Sequence, residues 1–277
     1  MRAAKTIGRA GCIRTSSTAL ARVLSFVLVL APAVPSRADS SPASGDDVIA
    51  RARANTATMV DKTMRVSMRI VGPSGDERAR SLKGFEKKGA DGRKVLWVFE
   101  APAELAGTSF LAVERRDGPD LLWVYFPGIR RVRQVPEQLR RERFQGSHFT
   151  YEDLTTIFYF DYGGTHALEG QKACATTTCF VVATTLKEGR FAYSRLVSWI
   201  RSDTYLPDHV EFYDKDLVKV MRVLGSDTIQ GIPTILKMEM DGVADGYHTG
   251  VEFTEVRYNG GLADDLFTPN YLASTGK

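Results

Sequence analysis

Residues 121–126 read LLWVYF, six apolar or aromatic side chains in a row. Neighbouring side chains of a β-strand point to opposite sides of the sheet, so such a strand needs a cover on both faces. The run VLWVF at 95–99 makes the same demand. A sheet with one face in water alternates instead, as the chain does at 64–70, where Met64, Val66, Met68 and Ile70 interleave with Arg65, Ser67 and Arg69. A helix can cover one face of a doubly apolar strand. The other face must meet a second sheet or enclose a cavity. Filled interiors are the commoner solution in proteins, and periodicity alone leaves both open. Met59, Met64, Met68, Met221, Met238 and Met240 suit an adaptable apolar site or plain core filling.

Short β-patterned segments separated by turn residues continue to the end of the chain. They are SLKGFEKKG (81–89), RKVLWVFEAP (93–102), GTSFLAVERRDGPD (107–120) and LLWVYFPG (121–128), then CFVVATTLKEG (179–189), YSRLVSWI (193–200), HVEFYDKD (209–216), LVKVMRVLG (217–225), TILKMEM (234–240) and TGVEFTEVRY (249–258). This spacing predicts an antiparallel meander. Asp46 and Asp47 ahead of VIARARANTATMV predict one short helix, with Val48, Ala52 and Met59 near one face.

The first 38 residues hold six basic side chains and no acid, and the apolar run VLSFVLVLAPA occupies 23–33. That is the layout of a secretory leader, with a small-residue cleavage site between Ala38 and Asp39. Residues 39–277 are then expected to form one soluble domain in the periplasm. Cys12 precedes the apolar run, so no lipid anchor is expected. Removing the leader leaves 37 − 6 = 31 basic against 33 acidic residues. The basic balance of the full chain therefore carries no signal for nucleic acid, which is excluded as a partner. Cys174 and Cys179 remain in an oxidising compartment, and the four residues between them suit a hairpin turn. A disulfide is expected there, and no metal site.

No nucleophile elbow, zincin helix or P-loop occurs. The densest polar motif is GSHFTYED at 146–153. Ser147 and His148 are adjacent and point apart in regular backbone, a poor nucleophile and base pair. In a helix, His148 and Glu152 would share a face and could hold a metal together with an acid such as Asp161. The plainer reading is a helix start, with Ser147 or Thr150 as cap and Glu152 and Asp153 in the first turn. Arg130, Arg131, Arg133, Arg140, Arg141 and Arg143 form the other dense feature. It suits either a solvated face or a contact for an acidic head group or partner.

Pro102 and Gly107, then Trp123, Tyr125 and Pro127 in LLWVYFPGIRRVR, Phe144, Gly146 and Ser147 opening FQGSHFTYEDL, Leu206, Pro207, the EFYD block at 211–214 and the terminal LADDLFTPNYL follow one another in a familiar order. In this order the chain resembles the LolA-like family of outer-membrane lipoprotein-sorting proteins, in the branch associated with envelope exporters. The family has an Asp after Gly-Ser where this chain has His148. The resemblance implies a mainly β fold with few helices: a curled antiparallel sheet, an open half-barrel closed by helices over an apolar cavity.

On that basis the expected function is transport of lipid or lipoprotein acyl chains across the envelope, with no cofactor and no catalytic residue. The candidate lining is Met64, Val66, Met68, Leu96, Trp97, Leu122, Trp123 and Val124. Arg130, Arg131 and Arg133 are the head-group or partner candidates. Gly146, Ser147, His148, Phe149, Tyr151, Glu152 and Asp153 form the family motif. An inner-membrane exporter and an outer-membrane acceptor are the partners such a carrier would need. A sensor or assembly factor on the same framework and a lipid-cleaving enzyme using the 146–153 segment are the alternatives.

Overall fold

The alternation at 64–70 becomes the inward and outward phases of one long strand, with Met64, Val66, Met68 and Ile70 buried and Ser67 and Arg69 exposed. A computed structural model describes residues 41–90, 92–115, 119–156, 163–187 and 191–274. The expected leader and Asp161 lie outside the described residues. The helix foreseen after Asp46 is α1 (Gly45–Ala54), capped by the Ser44 side chain, which accepts from Asp47 N, and it buries Val48, Ile49 and Ala52.

Thirteen strands among the described residues form one antiparallel sheet that does not close. The first half holds β1 (Asp61–Val71), β2 (Glu77–Lys88), β3 (Arg93–Ala101), β4 (Ser109–Val113), β5 (Leu121–Phe126) and β6 (Arg131–Gln134). The second holds β7 (Thr165–Cys174), β8 (Thr177–Thr185), β9 (Arg195–Arg201), β10 (Pro207–Tyr213), β11 (Leu217–Ile229), β12 (Ile232–Gly242) and β13 (His248–Tyr258). Each half is a meander, and the pairing of β1 with β13 joins them. The chain therefore runs outward from β1 to one sheet edge at β6, crosses to the opposite edge at β7, and returns to β13.

β6 and β7 are the two strands that the sequence pattern did not single out. Both are edges, and their residues are mostly exposed or half-buried. With little to bury, an edge strand carries little apolar alternation.

Arg93 on β3 and Leu206 beside β10 line one pocket. Their strands stand six places apart in the sheet, roughly 29 Å if it were flat at about 4.8 Å per strand. The sheet is therefore strongly curled. Its inner face carries the main core, which includes Met64, Val66, Met68, Leu82, Trp97, Leu122, Val124, Phe212, Met221, Met238, Met240 and Val251.

The doubly apolar strands have two covers. On β3, Val95, Trp97 and Phe99 point inward while Leu96 and Val98 belong to a separate outer cluster with Leu111, Trp123, Tyr125, Phe267 and Leu272. That outer cover is the C-terminal segment with its short helix α3 (Pro269–Leu272). The carboxylate of Asp61, itself buried, accepts from the backbone N of Gly260, Gly261 and Leu262 at 2.7–2.9 Å and turns the chain onto this face as it leaves β13.

Candidate functional site

The pleat sorts the expected lining into two sets. Met64, Val66, Met68, Trp97, Leu122 and Val124 share the inner face. Leu96 and Trp123 do not: they lie on the outer face beneath Phe267 and Leu272. Adjacent residues of a strand cannot both face inward, and the register Leu96↔Leu111↔Trp123 places these side chains together outside. Gly84 opposes Trp97 across the strands, and a Cβ there would come within 2.4 Å of the indole, so a glycine leaves the room that the ring fills.

The described residues 135–156, which follow β6, form a strap over the open side of the half-barrel. Phe144, Phe149 and Leu154 from this strap insert into the inner core. Phe144 N donates to Phe149 O at 2.7 Å, and Tyr151 N to Glu142 O, closing a small hairpin. Gly146 turns it with a φ of +78°, a conformation that favours glycine. Phe144 packs against Phe99, Phe110 and Tyr151, with ring centroids 5.3–5.6 Å apart. What remains between strap and sheet is a void of about 20 Å³ walled by side chains such as Val66, Met68, Trp97, Phe149, Met238 and Phe253.

Polar contacts fasten the strap. The buried Asp153 carboxylate accepts from Thr150 N at 2.7 Å while Thr150 Oγ1 accepts from Asp153 N, a reciprocal cap at the start of α2 (Asp153–Thr156). The cap is thus at Thr150; the Ser147 hydroxyl donates to Phe144 O instead. Lys219, on the inner phase of β11, donates to Asp153 Oδ2 at 2.6 Å and to His148 O at 3.2 Å. Burial depresses the Lys219 ammonium below its ordinary pKa. His148 N donates to Thr249 Oγ1. The His148 ring is pushed down to about 4, chiefly by burial. Residues 148–152 are not helical, so His148 and Glu152 do not share the helical face that a metal pair would need. Among the described residues the cluster with metal-ligand proximity is Cys174, Cys179 and Asp208, but its two sulfurs are joined to each other. A two-residue turn at Ala175 and Thr176 sets Cys174 opposite Thr177, so the bond to Cys179 runs diagonally across the hairpin.

At one end of the half-barrel the interior opens into a pocket of about 330 Å³. Met59, Leu206, Ile235 and Phe253 supply apolar wall; Arg53, Lys62, Lys88, Arg93 and Glu114 supply charge. Phe253 also walls the inner void, so the pocket adjoins the apolar interior. Lys62 and Glu86 face each other on the inner phase of β1 and β2, with Nζ and Oε2 4.0 Å apart. Burial lowers the Lys62 pKa and raises that of Glu86. Sequence reasoning missed Lys62, Glu86 and Lys219. Each is a charge in the apolar phase of its strand, which is the signal that could have found it. Arg130, Arg131 and Arg133 lie elsewhere, exposed at and beside the edge strand β6.

Solved structures share this architecture. A DUF1329 family protein from Desulfovibrio piger aligns with a TM-score of 0.77 at 29% identity, over 82% of this chain and 97% of that one. An outer membrane lipoprotein-sorting protein domain from Vibrio parahaemolyticus aligns at 0.76 and 23% identity, over 83% and 99%. A LolA superfamily protein from Nitrosomonas europaea aligns at 0.68 and 17%, over 83% and 100%. Residues 91–274, about two thirds of the chain, match the model of a family described as "Uncharacterized protein". The chain belongs to this family, and its fold is that of the LolA-like structures. No curated protein matches the chain significantly in sequence. No helix among its described residues is long and apolar enough to cross a membrane.

Proposed function

We propose that this LolA-like protein is a periplasmic carrier that takes lipid or lipoprotein acyl chains into the half-barrel. The observation that carries this reading is the inner face itself: an apolar interior, lined by thioethers and aromatic rings, that adjoins an open end pocket. Acyl chains gain about 0.8 kcal/mol for each buried CH₂, and methionines adapt to ligands of varied shape. As built, the void is too small for a chain, so uptake requires the strap to move. The strap's rings occupy the space that an acyl chain would fill.

In this reading residues 1–38 are removed on export, residues 39–277 work as one unlipidated domain, and the disulfide persists in the oxidising compartment. Arg130, Arg131 and Arg133 form an exposed cationic edge for a membrane or protein partner, such as an inner-membrane exporter or an outer-membrane acceptor. No catalytic step is assigned, since the Ser147 hydroxyl is bonded to a backbone carbonyl rather than to His148. Native mass spectrometry of the exported protein tests the proposal: co-purified lipid and saturable binding of a fluorescent acyl probe are expected. Delipidated protein with no saturable affinity for such a probe would sink it.

A further inference from the structure

We infer that the end pocket takes the anionic head of an amphiphile, a carboxylate or a phosphate, against Lys62, with the tail directed past Phe253 toward the inner void. This deepens the carrier reading and rests on it.

Lys62 is the centre of the case. It projects inward from β1, in phase with Met64 and Val66, with only 13% of its side chain exposed, and that part faces the pocket. An ammonium has three protons to donate, yet among the described residues Lys62 has only the ion pair with Glu86 at 4.0 Å and the Tyr258 ring at 6.0 Å. Charge-assisted hydrogen bonds run to about 2.7–2.9 Å, so 4.0 Å leaves those protons unused. Glu86 is 2% exposed, and its Oε1 has no hydrogen-bond partner among the described residues. A buried charge held this loosely is costly unless a further partner arrives. The partner that satisfies an ammonium is an anionic oxygen.

The surroundings favour the same ligand. Lys88 and Arg93 line the pocket beside Lys62, and the acid among the lining residues, Glu114, is bonded by Arg93. Lys88 is anchored by donating to Thr56 O and Ala57 O, which fixes its charge at the wall. The apolar part of the lining, Met59, Leu206, Ile235 and Phe253, reaches the void through Phe253. A volume of about 330 Å³ is at the lower end for a ligand pocket. A head group and the start of a tail fit; a full tail needs the interior.

The experiment is calorimetric titration of the mature protein with laurate, dodecyl phosphate, dodecanol and inorganic phosphate. Laurate and dodecyl phosphate should bind about tenfold or more tightly than dodecanol, the worth of one charge-assisted hydrogen bond. Inorganic phosphate alone should bind far more weakly than dodecyl phosphate. Lys62→Met should bring the two anionic amphiphiles to within a few-fold of dodecanol. The double variant K62M/E86Q, which leaves no buried lone charge, should do the same and guards against a folding defect in the single one. If laurate, dodecyl phosphate and dodecanol bind wild type alike, or the preference survives in both variants, the head-group inference fails and the carrier reading stands. Inorganic phosphate binding as tightly as dodecyl phosphate would instead mean a free-anion site and overturn the inference. If no amphiphile binds, both readings fall.

Discussion

Lys219 Nζ lies 2.6 Å from Asp153 Oδ2, and neither side chain is more than 3% exposed. One residue belongs to the sheet and the other to the strap, 66 positions apart in sequence. The pair is a buried clasp holding the strap's rings in the half-barrel. Tyr193 and Phe212 stand within 5 Å of the ammonium and shield it further.

Removing one partner leaves the other charge buried and alone. K219M and D153N should each lower stability by about 3–5 kcal/mol, whereas the apolar double variant K219M/D153L should recover much of the loss. Urea unfolding measures this. Amide exchange at Phe144 and Tyr151 should quicken in the single variants, and unchanged exchange would show that the clasp does not hold the strap.

Phe149 is 1% exposed and fills the space assigned to an acyl chain. F149A should cost about 3–5 kcal/mol of stability and at the same time tighten binding of an acyl probe, because the probe no longer competes with the ring. Weaker binding in a folded F149A would remove the plug from the mechanism.

An inward carboxylate acts in the opposite direction. V66D and M238D place an unpaired charge against the void and should abolish probe binding. S67D, on the exposed phase of the same strand, should leave it unchanged. Equal losses at positions 66 and 67 would contradict an inner binding face.

The three tryptophans report on the faces. Trp97 lines the void, Trp123 lies in the outer cluster, and Trp199 pairs across the sheet with Val181 and His209, in the outward phase between Ser198 and Ile200. A bromine-labelled fatty acid should quench a protein that keeps only Trp97 and spare one that keeps only Trp123. Quenching of Trp123 would place the ligand on the wrong side.

His148 makes stability depend on pH. Its folded pKa of about 4 lies below the ordinary 6.5, so between those values the unfolded chain binds more protons than the folded one. Stability from this group is complete above pH 6.5 and is lost as pH falls toward 4, by roughly 3 kcal/mol at most. Denaturant titrations at stepped pH should show that slope, and H148Q should flatten it.

The one-chain pattern carried much of this. Alternation at 64–70 foretold a strand with one exposed face, the acids at 46 and 47 foretold α1, and the apolar runs at 95–99 and 121–126 required covers on both sides, because period-two geometry is local. Local geometry does not say which phase is the inside. Leu96 and Trp97 are equally apolar, and only the register of β3 against β2 and β4, together with the C-terminal segment lying on the outer face, places Trp97 within and Leu96 without. The edges β6 and β7 were silent because an edge buries too little to leave a pattern. The charges that shape the interior were in plain view as letters: Lys62, Glu86 and Lys219 each interrupt an inward phase. Their partners come from distant segments, so their burial, their pairing and the clasp on Asp153 exist only once the sheet has curled and the strap has crossed it.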